Sequence, residues 1–401
     1  MNIWKVVYRI SKVKNVESEV LSVIYLDNAA TTKVDPSVLN SFVKVNETLY
    51  YNPNSPHQAG LQAERLLQQA KEQINQALRL KNAYDIIFTS GATESNNIAL
   101  KGIAYRKKDT ANEIITSVLE HPSVLEVVRY LAEKEGFVLK YVNVKSNGQI
   151  DIEHLKSIMN ERVGLVTCMY VNNIMGQIQP IQQIVNVLKD YPKVHFHVDA
   201  VQALGKIPLD LEGIDSLSLS GHKFNGLKGQ GLLITRTAHN IEPIIHGGGQ
   251  EFGVRSGTVN LPMAVSMVKA INNAVKQTDE LHQKLTSYQQ QIREMVQSYT
   301  GVKINSPKDA APQIINIGFP GVKGEVLVNA FSKQDIMVST TSACSSKRGK
   351  LNEVLLAMGI SEKQIEGSIR ISMGQMTTQK DIDSFKDKFE MIYEEVKELL
   401  K

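Results

Sequence analysis

Cysteine and tryptophan are scarce in this chain, with two cysteines, Cys168 and Cys344, and one tryptophan among 401 residues. Two thiols cannot build a disulfide framework, and no Cys or His pair stands at zinc-ligand spacing. No metal site is expected, and the thiols read as reduced groups of a cytoplasmic protein. Long apolar runs are missing too. The longest uncharged apolar stretch, about Val163 to Val171, falls far below the ~20 residues that cross a bilayer, so no membrane span is expected. Charge of one sign is also lacking. Lys and Arg number 45 against 41 Asp and Glu, a net +4 spread along the chain, so composition does not single out nucleic acid as a partner. What remains is a chain 42% hydrophobic, long enough for two domains at roughly 100–200 residues each.

Residues 1–23 carry Lys5, Arg9, Lys12, Lys14, Glu17 and Glu19 among apolar residues, which breaks any secretory core of ~7–15 apolar residues. This stretch reads as a non-secretory extension of unknown role. From there an alternation begins. Helical spacing from Ala59 to Leu80 gives way to a β-rich block at Asp85 to Thr89. Strands follow at Glu113 to Val118, Leu139 to Val144, Val163 to Val171 and Val194 to Asp199. Helices at Ser123 to Glu135, Ile152 to Met159 and Ile181 to Asp190 separate them. Further strands at Asp215 to Ser220 and Gly231 to Thr235 extend the sheet. The pattern predicts an α/β fold with a mostly parallel sheet. A long helical stretch from about Leu261 to Tyr299 then leads to strands near Ile314 to Phe319 and Ile369 to Met373, with a helix at Lys323 to Ser332 between them. A large domain over residues 24–275 and a smaller α+β domain over 276–401 are expected, the first residues of the large domain packing with the small one.

Open α/β sheets bind ligands beyond the carboxyl ends of their strands. Five such ends carry polar residues: Ser90-Gly91-Ala92-Thr93-Glu94, Glu120-His121, Asn172-Asn173, Asp199 with Gln202, and Ser220-Gly221-His222-Lys223. Ser90 to Thr93 joins a strand to a helix. Its backbone N–H groups and the Thr93 hydroxyl suit a phosphate, with Ser220 and His222 as further donors, although a plain N-cap turn has the same sequence. Nucleotide signatures fail on inspection: Gly221 to Gly226 continues with Leu227 where a P-loop needs Lys, and Gly229-Gln230-Gly231 lacks the third glycine.

Asp199 ends an apolar strand and needs a partner, because an unpartnered buried carboxylate costs several kcal/mol. Lys223 suits that role as a structural ion pair, or as a lysine whose amine forms a Schiff base with a carbonyl cofactor. An amine, an acid for a pyridinium nitrogen, a phosphate cradle and a ring to stack, His121, are together what pyridoxal phosphate requires. His195 and His197 read as packed strand histidines, and Cys168 as an inert core thiol. Cys344 differs: it sits among small residues with Lys347, Arg348 and Lys350 just beyond, cations that favour a thiolate, or it is a surface cysteine with no role. Arg370 suits either a substrate carboxylate or a domain-interface salt bridge. Arg255 suits a ligand or subunit contact.

Taken in order, Tyr25-Leu26-Asp27-Asn28-Ala29-Ala30-Thr31-Thr32, Asn52-Pro53-Asn54-Ser55-Pro56-His57, Phe88-Thr89-Ser90-Gly91-Ala92-Thr93-Glu94-Ser95-Asn96-Asn97, His197-Val198-Asp199-Ala200-Val201-Gln202, Ser220-Gly221-His222-Lys223, Arg255-Ser256-Gly257-Thr258 and Ser342-Ala343-Cys344 resemble the cysteine desulfurases. These are pyridoxal-phosphate enzymes of fold type I in the class V aminotransferase group. The resemblance spans about residues 24 to 395 and implies a seven-stranded large-domain sheet and a homodimer. It implies that Lys223 carries the cofactor, Asp199 pairs with its pyridinium nitrogen, Gln202 bonds its phenolic oxygen and His121 stacks on its ring. Ala92, Thr93, Ser220 and His222 would cradle the phosphate, with Thr258 arriving from the second subunit. Asn173 would touch cofactor and substrate, Arg370 would hold the substrate carboxylate, and Cys344 would take sulfur from L-cysteine as a persulfide. Catalysis would thus fall to Cys344, Lys223 and His121. The sulfur would pass to an acceptor protein, a tRNA-thiolating enzyme or an iron–sulfur scaffold. The same scaffold also suits an aminotransferase, a selenocysteine lyase or a non-catalytic sulfur-transfer protein. One departure stands out: Ile174 follows the two asparagines where the family commonly has Glu.

Overall fold

The computed structural model describes residues 23–80, 84–340 and 351–400; Cys344 and its neighbouring cations lie outside them. Seven strands form the large sheet: β2 (Asp85–Thr89), β3 (Glu113–Thr116), β4 (Val138–Tyr141), β5 (Val163–Met169), β6 (His195–Asp199), β7 (Ser216–Ser220) and β8 (Gly231–Thr235). Their order is β2-β8-β7-β6-β5-β3-β4, and only β8 runs antiparallel to its neighbours. All six parallel strands therefore end on one edge, and the start of β8 joins them there. Every residue of β5, β6, β7 and β8 is buried, the signature of a sheet covered on both faces.

Helices supply the cover: α1 (Pro36–Thr48), α2 (Gln58–Ala77), α3 (Ala92–Lys107), α4 (Pro122–Glu135), α5 (Ile152–Ile158) and α6 (Ile181–Leu188). Proline at the first helical position starts α1 and α4, where its missing N–H costs nothing. His57 and His121 cap α2 and α4, each accepting a backbone N–H on its ring. The predicted strands at Glu113 and Val163 run two residues too long. Beyond Met169 the chain turns back on itself, Val171 bridging Ile178, so Tyr170 and Val171 leave the ladder.

Helix α7 (Leu261–Gln297) is 37 residues long and serves two cores. Its first part, through Ile271, packs on α1 and α2 and joins the first apolar clusters, and Leu285, Ile292 and Val296 join a second apolar cluster. That cluster surrounds an antiparallel sheet of β9 (Lys303–Ile304), β10 (Ile314–Gly318), β12 (Ser339–Thr340) and β13 (Ser368–Ser372), in the order β12-β13-β10-β9. It also takes in α8 (Gly324–Lys333) and α11 (Gln379–Val396), while the buried residues of α9 (Glu353–Ala357) and α10 (Glu362–Glu366) join the first cluster instead. The chain start is bound there as well: β1 (Ile24–Tyr25) pairs in parallel with β11 (Ile336–Met337), and Leu26 is fully buried in the second cluster. Among the described residues no helix is long and apolar enough to cross a membrane.

Candidate active site

At the shared strand edge, Asp199 closes β6 and is 5% exposed. The expected cationic partner is replaced by two neutral donors. Asn96 Nδ2 reaches Asp199 Oδ2 at 3.0 Å, and the Val201 N–H reaches Oδ1 at 3.1 Å. Lys223 instead donates to the Ala29 and Ala30 carbonyls at 2.6 and 2.8 Å. A structural ion pair with Asp199 is therefore not the arrangement found, because the segment 27–32 folds over the His222–Lys223 turn and offers carbonyls closer by. Thr32 anchors that overlay, its N–H and hydroxyl both donating to the His222 carbonyl. His121 feels both groups at once. Burial lowers its pKa, with Asp199 opposing and Lys223 reinforcing the shift.

The loop after β2 sits directly on the start of β8. A Cβ on Gly231 would meet the Gly91 backbone at 2.4 Å, and one on Gly91 would lie 3.9 Å from Ser220 Oγ. Gly91 caps α3 without a side-chain hydrogen bond, so the helix N-terminus faces Ser220 across a glycine-lined gap. Ala92 is buried and Thr93 exposed there, and Thr93 shares a surface cleft with Asn97, Lys101 and His121. Glu94 is the counterweight: burial alone would raise its pKa, but hydrogen bonds from Arg255 and Ser90 hold it below the ordinary value. Arg255, expected to contact a ligand or another subunit, makes a 2.8 Å ion pair with Glu94. Thr258, three residues on, is exposed. His222 bonds Thr31 Oγ1 at 3.2 Å, and burial, then Lys223, Lys228 and Lys206, push its pKa down to about 4.

Arg370, on β13, joins the edge from the other half of the molecule. Its guanidinium pairs with Asp27 at 2.8 Å and donates to the Asn173 carbonyl at 3.0 Å, while Nε is buried with no hydrogen-bond partner. Gln202 donates to the Ala29 carbonyl at 2.9 Å and leaves its own amide oxygen buried without a partner. An unfilled donor on Arg370 and an unfilled acceptor on Gln202 match a carboxylate-bearing substrate and a ligand hydroxyl. With the helix N-terminus at Gly91 and the acid at Asp199, the residues present fit pyridoxal phosphate. Cys168 is buried in β5, where burial raises its thiol pKa well above the ordinary value, with Glu120 adding to the effect.

Two residues of this edge escaped the sequence reading. Asn96 holds Asp199, and His197, read as a packed strand histidine, holds Asn96 in turn, Nε2 to Oδ1 at 2.9 Å. Asn96 lies one helical turn beyond Thr93, which is the spacing that could have flagged it.

The aminotransferase class-V family matches residues 24–385. A cysteine desulfurase IscS from Dictyoglomus turgidum is 38% identical over 378 residues, 93% of this chain and 95% of that protein. A NifS-like protein of known structure superposes with a TM-score of 0.86 at 37% identity, covering 93% of this chain and 99% of that one. A structure described as SspA in complex with cysteine matches with a TM-score of 0.76 at 33% identity, covering 88% and 99%. With the fold, the strand-edge constellation and these relatives in agreement, the chain belongs to the class-V aminotransferase family of pyridoxal-phosphate enzymes, alongside the NifS- and IscS-like cysteine desulfurases.

Proposed function

We propose that this protein is a cysteine desulfurase that converts L-cysteine to L-alanine and takes the sulfur on Cys344 as a persulfide. The observation that carries the reading is the meeting of Lys223, Asp199 and His121 at one strand edge, with the Arg370 fork beside Asn173. Bound there, pyridoxal phosphate supplies a sink for the electron pair left when a bond at the amino acid Cα is broken. Asp199 would keep a proton on the ring nitrogen, Gln202 would meet the phenolic oxygen, and His121 would cover the ring. Ala92, Thr93, Ser220 and His222 would hold the phosphate, joined by Thr258 from a second copy in a homodimer. Arg370 and Asn173 would orient the substrate, using the guanidinium Nε that has no partner of its own. The Lys223 amine would carry the Cα proton.

Sulfur transfer then balances on Cys344. Its thiolate attacks the substrate sulfur, an S–S bond forms as the C–S bond breaks, and the carbon takes a proton to become the methyl of alanine. An unperturbed thiol of pKa ~8.5 is only about 3% thiolate at pH 7, so neighbouring cations such as Lys347 and Arg348 have a clear task. The persulfide would pass in the cytoplasm to an acceptor protein, a tRNA-thiolating enzyme or an iron–sulfur scaffold. Thiouridine content and iron–sulfur enzyme activity in a deletion strain separate those two.

The deciding assay supplies purified protein with L-cysteine, with and without a 2-keto acid, and measures alanine and sulfide. Sulfide and alanine in equal amounts without the keto acid support the reading. The amino acid of the added keto acid, formed without sulfide, identifies an aminotransferase, release from added selenocysteine but not from L-cysteine a selenocysteine lyase, and no product a non-catalytic scaffold.

A further inference from the structure

Seven buried or half-buried side chains form one connected set of hydrogen bonds, running from the strand edge back to His195 and Ser216 at the starts of β6 and β7, and its directions follow from the atoms. The Ser123 backbone N–H donates to His121 Nδ1 at 3.1 Å, so that nitrogen carries a lone pair. The Ser123 hydroxyl, 2.8 Å from the same nitrogen, donates as well, which leaves its oxygen to accept from Asn96 Nδ2 at 2.8 Å. The second Nδ2 hydrogen goes to Asp199 Oδ2 at 3.0 Å. Asn96 Oδ1 therefore receives the Nε2–H of His197 at 2.9 Å. His197 Nδ1 then accepts from the Ser216 hydroxyl at 2.8 Å, whose oxygen accepts from His195 Nε2 at 2.7 Å. Asn96, Ser216 and His197 are fully buried. Burial holds His197 down at about 3, so it remains a neutral donor throughout the working pH range.

We propose that Asn96 is a positioning residue that orients the Asp199 carboxylate and, through Ser123, ties it to the His121 imidazole. His197 is the fixed donor that sets which way the Asn96 amide faces. The inference rests on the reading of Asp199 and His121 as the groups nearest the cofactor ring, but it concerns contacts among this chain's own residues. Asn96 bonds the side chains of Ser123, Asp199 and His197. Its effect comes from the carboxylate it aims: with Oδ1 held by Val201 N–H and Oδ2 by Asn96, Asp199 has one defined orientation toward the strand edge.

Two variants and two readouts test this in the full chain. In the apo protein labelled with ¹⁵N-histidine, a buried imidazole N–H protected from exchange is expected for His197, assigned through His197→Gln, and its loss is expected in Asn96→Ala. In the same Asn96→Ala protein, the dissociation constant for added pyridoxal phosphate should rise about ten- to a hundredfold, as for the loss of one hydrogen bond to a charged group. Asn96→Asp keeps the shape and carries the test if Asn96→Ala does not fold. It places a second carboxyl against Asp199, with His197 and Ser123 as the other facing groups, His121 behind Ser123, and Glu120 and Lys223 also nearby. Two carboxyls at that distance share one proton. Cofactor affinity in Asn96→Asp should therefore approach wild type in acid and fall as the shared proton leaves, a titration that wild type lacks and that a merely structural role does not produce. Retention of the protected His197 signal with cofactor affinity within twofold of wild type in Asn96→Ala, or a pH profile of Asn96→Asp parallel to wild type, overturns the proposal. If wild-type protein itself binds no pyridoxal phosphate, it is the cofactor-site reading that fails, and the histidine signal still judges the network.

Discussion

Gly231 at the start of β8 and Gly91 at the start of α3 are packed backbone to backbone, so that a Cβ on Gly231 would stand 2.4 Å from Gly91 Cα and 2.5 Å from its carbonyl carbon and nitrogen. Backbone cannot swing aside as a flexible side chain does. Gly231→Ala should push the Ser90–Thr93 loop off the sheet, costing about 1–3 kcal/mol of stability as overpacking does and weakening cofactor binding further. Thermal unfolding and titration of the apo variant with pyridoxal phosphate check both effects; affinity equal to wild type would remove the loop from the site.

Lys223→Ala should abolish the visible absorption band of bound cofactor and essentially all turnover while leaving the fold, because the 27–32 segment whose Ala29 and Ala30 carbonyls it bonds is also held by Asn28 on Ser372 and Thr32 on His222. Absorption spectra after dialysis provide the measurement. A retained band would assign the cofactor to another amine.

Cys344→Ser should keep the cofactor spectrum and release almost no sulfur, since a serine hydroxyl is far less ionised than a thiol. Cys168→Ser is the matched control. Burying a hydroxyl in β5 costs about 1–3 kcal/mol without removing turnover per folded molecule. Peptide mass mapping of wild type treated with L-cysteine should find one added sulfur on the Cys344 peptide, and finding it on Cys168 would reject the persulfide assignment.

Stability should depend on pH through Glu120. Burial, with Asp199 adding to it, pushes this carboxyl from 4.5 up to about 8, against hydrogen bonds from Met169 N–H and Ser117. Between those values the native state keeps a proton that the unfolded chain has released. The contribution of Glu120 is therefore complete in acid and is lost as pH rises toward 8, by up to about 1.4 kcal/mol per unit. Glu120→Gln has no such proton to lose. Urea unfolding at several pH values should show the variant gaining on wild type from about pH 5 to 8, and a constant difference would refute the assignment.

Much of this architecture was legible because apolar runs of strand length stand between turn signals. The blocks at Asp85–Thr89 and Gly231–Thr235 were bounded to the residue, since an apolar β-rich run between turn signals has few other solutions. The two-residue strands β1 and β11 were not, because two residues carry no period. The strand-end residues were also readable, as a parallel sheet must deliver them to one edge. What sequence could not supply was partnership across distance. Asp27 meets Arg370 343 residues away, and Asp199 is served by an amide from a helix rather than by the lysine at the next strand end. Such pairings depend on how the segments 27–32 and α3 drape over the sheet, which no local pattern encodes.

The pairing of β1 with β11 has a consequence for the order of events during synthesis. Ile24 waits for Ile336, 312 residues later, and Asp27 for Arg370; until then the 27–32 segment is held from one side, by Thr32 on His222 and Gln202 on Ala29. At roughly 5–20 residues per second that is about 15–60 s of translation. The large sheet can assemble on the ribosome in that interval, but the strand edge closes only when the last quarter of the chain emerges. The last tie of the 27–32 segment to the strand edge is thereby a late event in synthesis.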